Sequence, residues 1–253
     1  MRIINYISLF FLAIFLLILI ILNKETTRKI AINYNKLEYE IPVYLGVFDF
    51  LNRHYNYKHL VKQINIGQKN NESSILNTTK WVNQNIQKIQ EGVDLVDSDP
   101  LTIVKRRLGA QYQFSDILSV FLVYLNIDSH FFNNTSDPLT LLKVNNYWSV
   151  LDPYYGVYFI NEKGTFAYIE ELKTLNWDIA NLDSQKINRL DIQDIFFKNF
   201  QNYDQVKEHY KKIFMNIKSS RQLDKMNIFT RGGRAYIQKP TNRIRYEIHR
   251  ILN

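Results

Sequence analysis

The sequence predicts an α+β domain carried behind one N-terminal transmembrane helix. Three features point there: an apolar run at the N-terminus, a mid-chain segment apolar nearly all round at helical length, and short strands with hairpin turns directly after it. The chain has 253 residues, 46% hydrophobic and 22% charged, with only 8 Gly and 5 Pro. That is enough for a sizeable core and excludes collagen-like and disordered chains. The absence of Cys excludes disulfides, thiolate metal sites and cysteine nucleophiles together.

The first element runs from Ile3 to Leu22, interrupted only by Asn5, Tyr6 and Ser8. Twenty helical residues rise about 30 Å, the thickness of a bilayer's hydrocarbon. A cleaved signal peptide is the competing reading. The run exceeds the usual apolar region of roughly 7 to 15 residues and meets no small-x-small site before Lys24, which favours an uncleaved anchor. Arg2 lies on one side and Lys24, Arg28 and Lys29 on the other, with Glu25 among them, so positive charge does not decide orientation. The short head favours an N-in arrangement with the body outside the cytoplasm.

Residues 23 to 40 alternate enough for a short strand and hold enough Asn for a loop. Val43 to Ile66 reads as a helix, with His54 and His59 as surface or half-buried side chains. Ser73 or Ser74 caps a helix carrying Ile75, Val82, Ile86 and Ile89, closed by Gly92. After Gly109, Ser115-Asp116 opens the apolar stretch Ile117 to Leu125, a helix central to a core. Ser129 to Phe132 is strand-like. Leu139 to Val144 and Tyr147 to Leu151 form a hairpin about Asn145-Asn146, a turn suited to left-handed backbone. In that register Asp152 stands opposite Leu139, with Asp137 one diagonal step away, roughly 7 to 8 Å. A second hairpin follows, Gly156 to Ile160 with Thr165 to Ile169, and then two helices, one through Leu190, Ile195, Phe196 and Phe200, the other through Val206, Tyr210, Ile213 and Ile217.

The middle of the chain resembles the transglutaminase-like superfamily, the papain-fold branch of cysteine acyl-transfer enzymes, over about residues 75 to 172. The likeness is carried by Lys105-Arg106-Arg107-Leu108-Gly109 leading into Gln113-Phe114-Ser115-Asp116, by Asn126-Ile127-Asp128, and by Trp148-Ser149-Val150-Leu151-Asp152-Pro153-Tyr154-Tyr155-Gly156. It is similar to bacterial members, in which Cys-Asp-Gln opens the helix, a His lies on the next strand and an Asp follows the Trp. The resemblance implies a buried central helix packed on an antiparallel sheet, and a degenerate triad. The family's nucleophile falls on Gln111, its base at or near Asp137, and its orienting acid on Asp152. A carboxamide forms no nucleophilic anion, and an aspartate with a pKa near 3.9 is a poor general base. Gln113 matches a helix-start glutamine of the family and is read as structural.

Two alternatives remain beside that non-catalytic reading. A relocated Ser-His-Asp hydrolase would use Ser115, His130 and Asp152, although Ser115 also reads as an N-cap. Asp137 and Asp152 with Gln111 form a possible hard-cation set, competing with two simply solvated acids. The sequons at Asn71, Asn77 and Asn133 are expected by chance in so Asn-rich a chain.

Net charge is +8, yet residues 218 to 253 hold nine Lys and Arg against two Asp and Glu, while the rest is balanced. Arg231, Arg234, Lys239, Arg243 and Arg245 are candidate anion-binding residues, with anionic lipid or an acidic glycan as the partner and no nucleic-acid motif around them. The competing reading is a solvated basic surface packed on the domain through Ile228, Tyr236, Ile244 and Ile248. Residues 1 to 23 are therefore read as the anchor, 24 to 74 as a juxtamembrane and helical segment, 75 to 172 as the core, and 173 to 253 as a helical, basic extension packed on it. The expected role is binding or scaffolding of an envelope protein or glycan, without a cofactor.

Overall fold

In the computed structural model, residues 2–32, 35–68, 70–89, 99–132, 137–174, 176–182, 196, 200, 202–227 and 234–252 are described. Gly92, Asn133, Leu190, Ile195, Ile228 and Arg231 lie outside them.

Helix α1, Arg2–Asn23, is followed by a two-stranded antiparallel ribbon of β1, Glu25–Ile32, and β2, Asn35–Pro42. All eight residues of β1 find a partner, from Glu25 against Pro42 to Ile32 against Asn35, so the segment left open as strand or loop is a hairpin. Val43 N–H donates to the Lys24 carbonyl at 2.9 Å and leads into α2, Val43–Ile64. Helix α3, Asn71–Asn85, is capped by Asn70, whose side chain accepts from Ser73 N at 2.7 Å, so the cap lies three residues before the expected serine.

A two-residue parallel pair, β3 (Gln87–Lys88) with β4 (Leu108–Gly109), brackets α4, Pro100–Arg106. Gly109 is required by the closeness of that approach. A Cβ there would meet Ile86 Cγ2 at 3.1 Å and Ile103 Cγ2 and Phe114 Cε2 at 3.4 Å.

Helix α5, Gln111–Tyr124, is buried from Gln113 to Val123 because it is covered on both sides. Towards α2, α3 and α4 it packs Phe114, Ile117, Val120 and Phe121 against Tyr57, Val61, Val82 and Ile103. Towards the sheet it packs Leu118 and Leu122 against Leu142, Val144 and Leu151. The sheet is a five-stranded antiparallel meander of β5 (Ser129–Phe132), β6 (Leu139–Val144), β7 (Tyr147–Asp152), β8 (Val157–Asn161) and β9 (Trp177–Asn181). Its other face, with Leu141, Trp148, Val150 and Phe159, is covered by α7, Tyr203–Asn216, and α8, Ser220–Lys225. Both faces of β6 are therefore covered, which is why its apolar residues Leu139, Leu141, Leu142 and Val144 fall on both faces and do not alternate.

The β6–β7 hairpin turns at Asn145 and Asn146, both at positive φ, and pairs Val144 with Tyr147 and Thr140 with Leu151. The second hairpin is different from the expected one. Ile160 and Phe166 form a single bridge, the chain enters α6 at Ile169–Leu172, and the regular partner of β8 is β9. Helix α9, Pro240–Leu252, closes the described chain. Ile244 and Ile248 on it face solvent, contrary to the packing expected of them, whereas Tyr236 is half-buried.

Candidate functional site

The start of α5 is set by Gly109-Ala110. Ala110, in extended backbone, is the N-cap, and its N–H donates to Gln113 Oε1 at 3.0 Å. Arg106 Nη2 donates to the same oxygen at 2.8 Å, so Gln113 ties the end of α4 to the first turn of α5. Gln111 is thereby the first helical residue. Its Nε2 lies 3.5 Å from Asp137 Oδ1, at the outer limit of a hydrogen bond.

Asp137, just before β6, is nearly buried, and its Oδ2 stands 3.2 Å from His209 Nε2. His209 comes from α7, with its ring 5.0 Å from that of Phe200 and 5.7 Å from that of Tyr210. Sequence reasoning missed His209, which is separated from Asp137 by most of the sheet. The only sequence signal was its place beside Tyr210, a member of the buried stripe of α7.

Asp152 is fully buried at the end of β7. Its Oδ1 accepts from Tyr154 N at 3.0 Å and Tyr155 N at 3.1 Å, and its Oδ2 accepts from the Tyr210 hydroxyl at 2.8 Å. Asn83 Nδ2 donates to the Pro153 and Tyr154 carbonyls at 3.0 and 2.9 Å, fixing the same turn from outside. Burial pushes the Asp152 carboxyl up from 3.8 to about 6, the three hydrogen bonds work against that rise, and the charge of Asp137 adds to it. Burial likewise drives the Tyr210 phenol well above its usual range, and the neighbouring Asp152 adds to that, so Tyr210 is a neutral donor.

Lys88, on β3 opposite Gly109, places its ammonium 4.8 Å over the ring of Tyr154 and 5.8 Å from that of Tyr155. Partial burial lowers its pKa to about 8, against the pull of Asp152. Gln111, Asp137 and His209 thus meet directly, and Asp152 and Lys88 stand within electrostatic reach. The set offers amide, imidazole and ammonium donors around a carboxylate, which suits recognition of a polar ligand. Among the described residues no group of three His, Cys, Asp or Glu is placed to hold a metal ion.

The other candidates stand elsewhere. Ser115 is wholly buried inside α5, one turn beyond Gln111, and so is not an N-cap. Its Oγ donates to the Pro138 carbonyl at 2.9 Å, while its own carbonyl accepts from Ser119 Oγ at 2.8 Å and Thr140 Oγ1 at 3.2 Å. This hydroxyl ladder fastens α5 to the sheet. His130 on β5 is level with Leu141 and Val150, two strands across from β7 and two residues short of Asp152. Strand spacing and rise put the two Cα atoms roughly 12 Å apart. In the basic tail, Arg234 Nη1 lies 3.5 Å from Asp116 Oδ2, and Lys239 Nζ donates to Asn126 Oδ1 at 2.7 Å. Arg243 pairs with Glu247 at 2.6 Å on α9, which also carries Arg245.

No family model and no curated protein matches the chain. Solved structures similar to it include a candidate cysteine protease from Cytophaga hutchinsonii, with 16% identity and a TM-score of 0.34 over 40% of this chain and 37% of that one. A candidate protease from Parabacteroides distasonis is similar at 10% identity and a TM-score of 0.34, over 64% of this chain and 40% of that one. The chain therefore spans about two fifths of either protein's length.

Helix α1 is long and apolar enough to cross a membrane, and from Tyr6 to Asn23 none of it is buried against the rest of the molecule.

Proposed function

We propose that this chain is a membrane-anchored transglutaminase-like domain whose papain-type cleft binds a partner at the bacterial cell envelope without catalysing acyl transfer. The observation that carries this reading is the environment of Gln111. It opens the buried helix at the place where the resemblance puts a thiol, with the carboxylate of Asp137 facing it at 3.5 Å. A carboxamide beside a carboxylate has neither an ionisable nucleophile nor a base matched to one. Among the described residues, the Asp137–His209 pair faces the Gln111 carboxamide, which offers no nucleophile to activate. Ser115 already donates to a main-chain carbonyl, and His130 belongs to another part of the sheet. The envelope protein or glycan proposed as partner is recognised through the donors of Gln111, His209 and Lys88. In this reading α1 remains as an uncleaved anchor, with the body outside the cytoplasm.

The test is turnover. Full-length protein in detergent is incubated with casein and a fluorescent primary amine, and both amine incorporation and new α-amino groups are measured. Neither should exceed the level of the Gln111→Ala variant. Turnover abolished by Ser115→Ala and, separately, by His130→Ala, on β5, would overturn the proposal. Gln111→Cys combined with Asp137→His should introduce a thiol alkylated faster at neutral pH than that of Gln111→Cys alone.

A further inference from the structure

Helix α9 sits on the domain by its polar side. Asn242 Nδ2 donates to the Tyr236 carbonyl at 3.0 Å, His249 Nε2 lies 3.4 Å from Asn227 Nδ2, and Asn242, Tyr246 and His249 are all half-buried. The apolar residues are on the opposite side. Ile244, Ile248, Ile251 and Leu252 follow one another at helical spacing and are 60%, 52%, 78% and 76% exposed. A helix folded only to complete this domain would point those four side chains inward. Arg245 borders the stripe on one flank. Beyond Glu247 on the other stand Arg243 and Arg250, which both pair with that glutamate, at 2.6 and 2.9 Å. The helix thus carries three arginines against one glutamate.

We infer that α9 lies on an anionic lipid surface, its isoleucine stripe in the headgroup boundary and its arginines among lipid phosphates. An exposed apolar stripe flanked by cationic side chains is the pattern of helices lying in a membrane interface. A second copy of the chain fits less well. Four aliphatic side chains offer roughly 100 Å² each, about half of the ~800 Å² per partner that a stable interface buries. The inference rests on the anchoring of α1 proposed above, which would bring the domain to a bilayer in the first place. Together the two helices hold the domain at two points and so fix its orientation on the lipid.

The absence of Cys allows one label at one site. Full-length Ile248→Cys, carrying an environment-sensitive fluorophore, is reconstituted into vesicles of phosphatidylcholine alone or of equal parts phosphatidylcholine and phosphatidylglycerol, with a doxyl-lipid quencher. Lys163→Cys, in the exposed loop after β8, reports adventitious adsorption. The Ile248 label should shift to the blue and be quenched in the anionic vesicles, and both effects should fade as salt rises. Arg243→Gln with Arg245→Gln should lower the docked-to-undocked ratio about 25-fold, five-fold per arginine. A label that stays aqueous in both lipids, or equal salt-insensitive quenching in neutral vesicles, would overturn the inference. So would burial of the label that grows with protein density, the outcome for a second copy. If the protein does not float with the vesicles, the anchor reading has failed; if it floats while the label stays in water, only this inference has.

Discussion

The buried clasp around Asp152 makes a prediction about stability and pH. The rise of its pKa from 3.8 to about 6 means that the folded protein holds this proton more tightly than the unfolded chain. At 1.36 kcal/mol for each pH unit, the effect is about 3 kcal/mol. The sign follows from linkage. A carboxyl whose folded pKa is raised contributes stability that is fully present below about pH 3.8 and lost as pH climbs through 6. Asp152→Asn removes the titration while leaving an oxygen to accept the Tyr154 and Tyr155 amides. Urea unfolding in detergent, followed by tryptophan fluorescence at pH 4 to 8, should show the wild type losing about 2.5 kcal/mol relative to Asp152→Asn across that range. Tyr210→Phe tests the same clasp from the other side. It deletes the 2.8 Å hydrogen bond to Oδ2, at a cost of about 1.5 to 3 kcal/mol for a bond to a charged group. That cost should be largest above pH 6, where Asp152 is ionised, and the pH midpoint should move upwards. Parallel wild-type and Asp152→Asn profiles, or a downward shift in Tyr210→Phe, would refute the reasoning.

Two further expectations concern the scaffold and the anchor. Gly109→Ala places a methyl 3.1 Å from Ile86 Cγ2, with Ile103 and Phe114 close behind, and should lower stability by about 1 to 3 kcal/mol, read as a shift of the urea midpoint at constant slope. Full-length protein expressed in bacteria should remain with membranes after carbonate extraction and keep its N-terminus on mass spectrometry. A mature chain beginning after Asn23 would identify α1 as a removed signal.

Much of this fold was legible because its strongest elements are periodic over many residues. The apolar length of α1, the all-round apolar α5 and the Asn145-Asn146 turn each follow from local chemistry, and the stripe of α7 from 4, 3 spacing at Val206, Tyr210 and Ile213. The errors came where two local signals competed. Ser115-Asp116 has the look of a cap, but Gly109 at a tight approach and Gln113 reaching back to Ala110 start the helix four residues earlier. Thr165 to Ile169 alternates like a strand, yet on the edge away from β9 it makes only single bridges, Phe166 to β8 and Tyr168 to β7, before the chain turns into α6. The ribbon was ambiguous because strand pairing, unlike helix formation, is settled by a partner outside the window. At the site, hairpin register placed Asp137 near Asp152, while Gln111 was put beside them only by what the resemblance implies. His209 could not be placed, since only the packing of α7 across the sheet brings it to Asp137. The stripe of α9 was equally readable, but its direction was not: spacing defines a face and leaves open whether that face meets protein or solvent.

The buried acid at Asp152 has a structural role in this fold. Ionising a carboxyl with no exposed surface is unfavourable, and the upward pKa shift measures how incompletely the surroundings offset it. What the carboxyl does here is join the turn after β7 to α7. One oxygen closes the turn after β7 through two amides, and the other receives Tyr210 from α7. Tyr210 is adjacent in sequence to His209, so the seat of α7 on Asp152 also determines where the imidazole stands relative to Asp137 and Gln111. The geometry around Asp137 and His209 therefore depends on Asp152 through Tyr210. An uncharged replacement able to accept both amides should keep the turn. A replacement unable to hold Tyr210 should loosen the Asp137–His209 contact, and with it one of the three donors that the site presents.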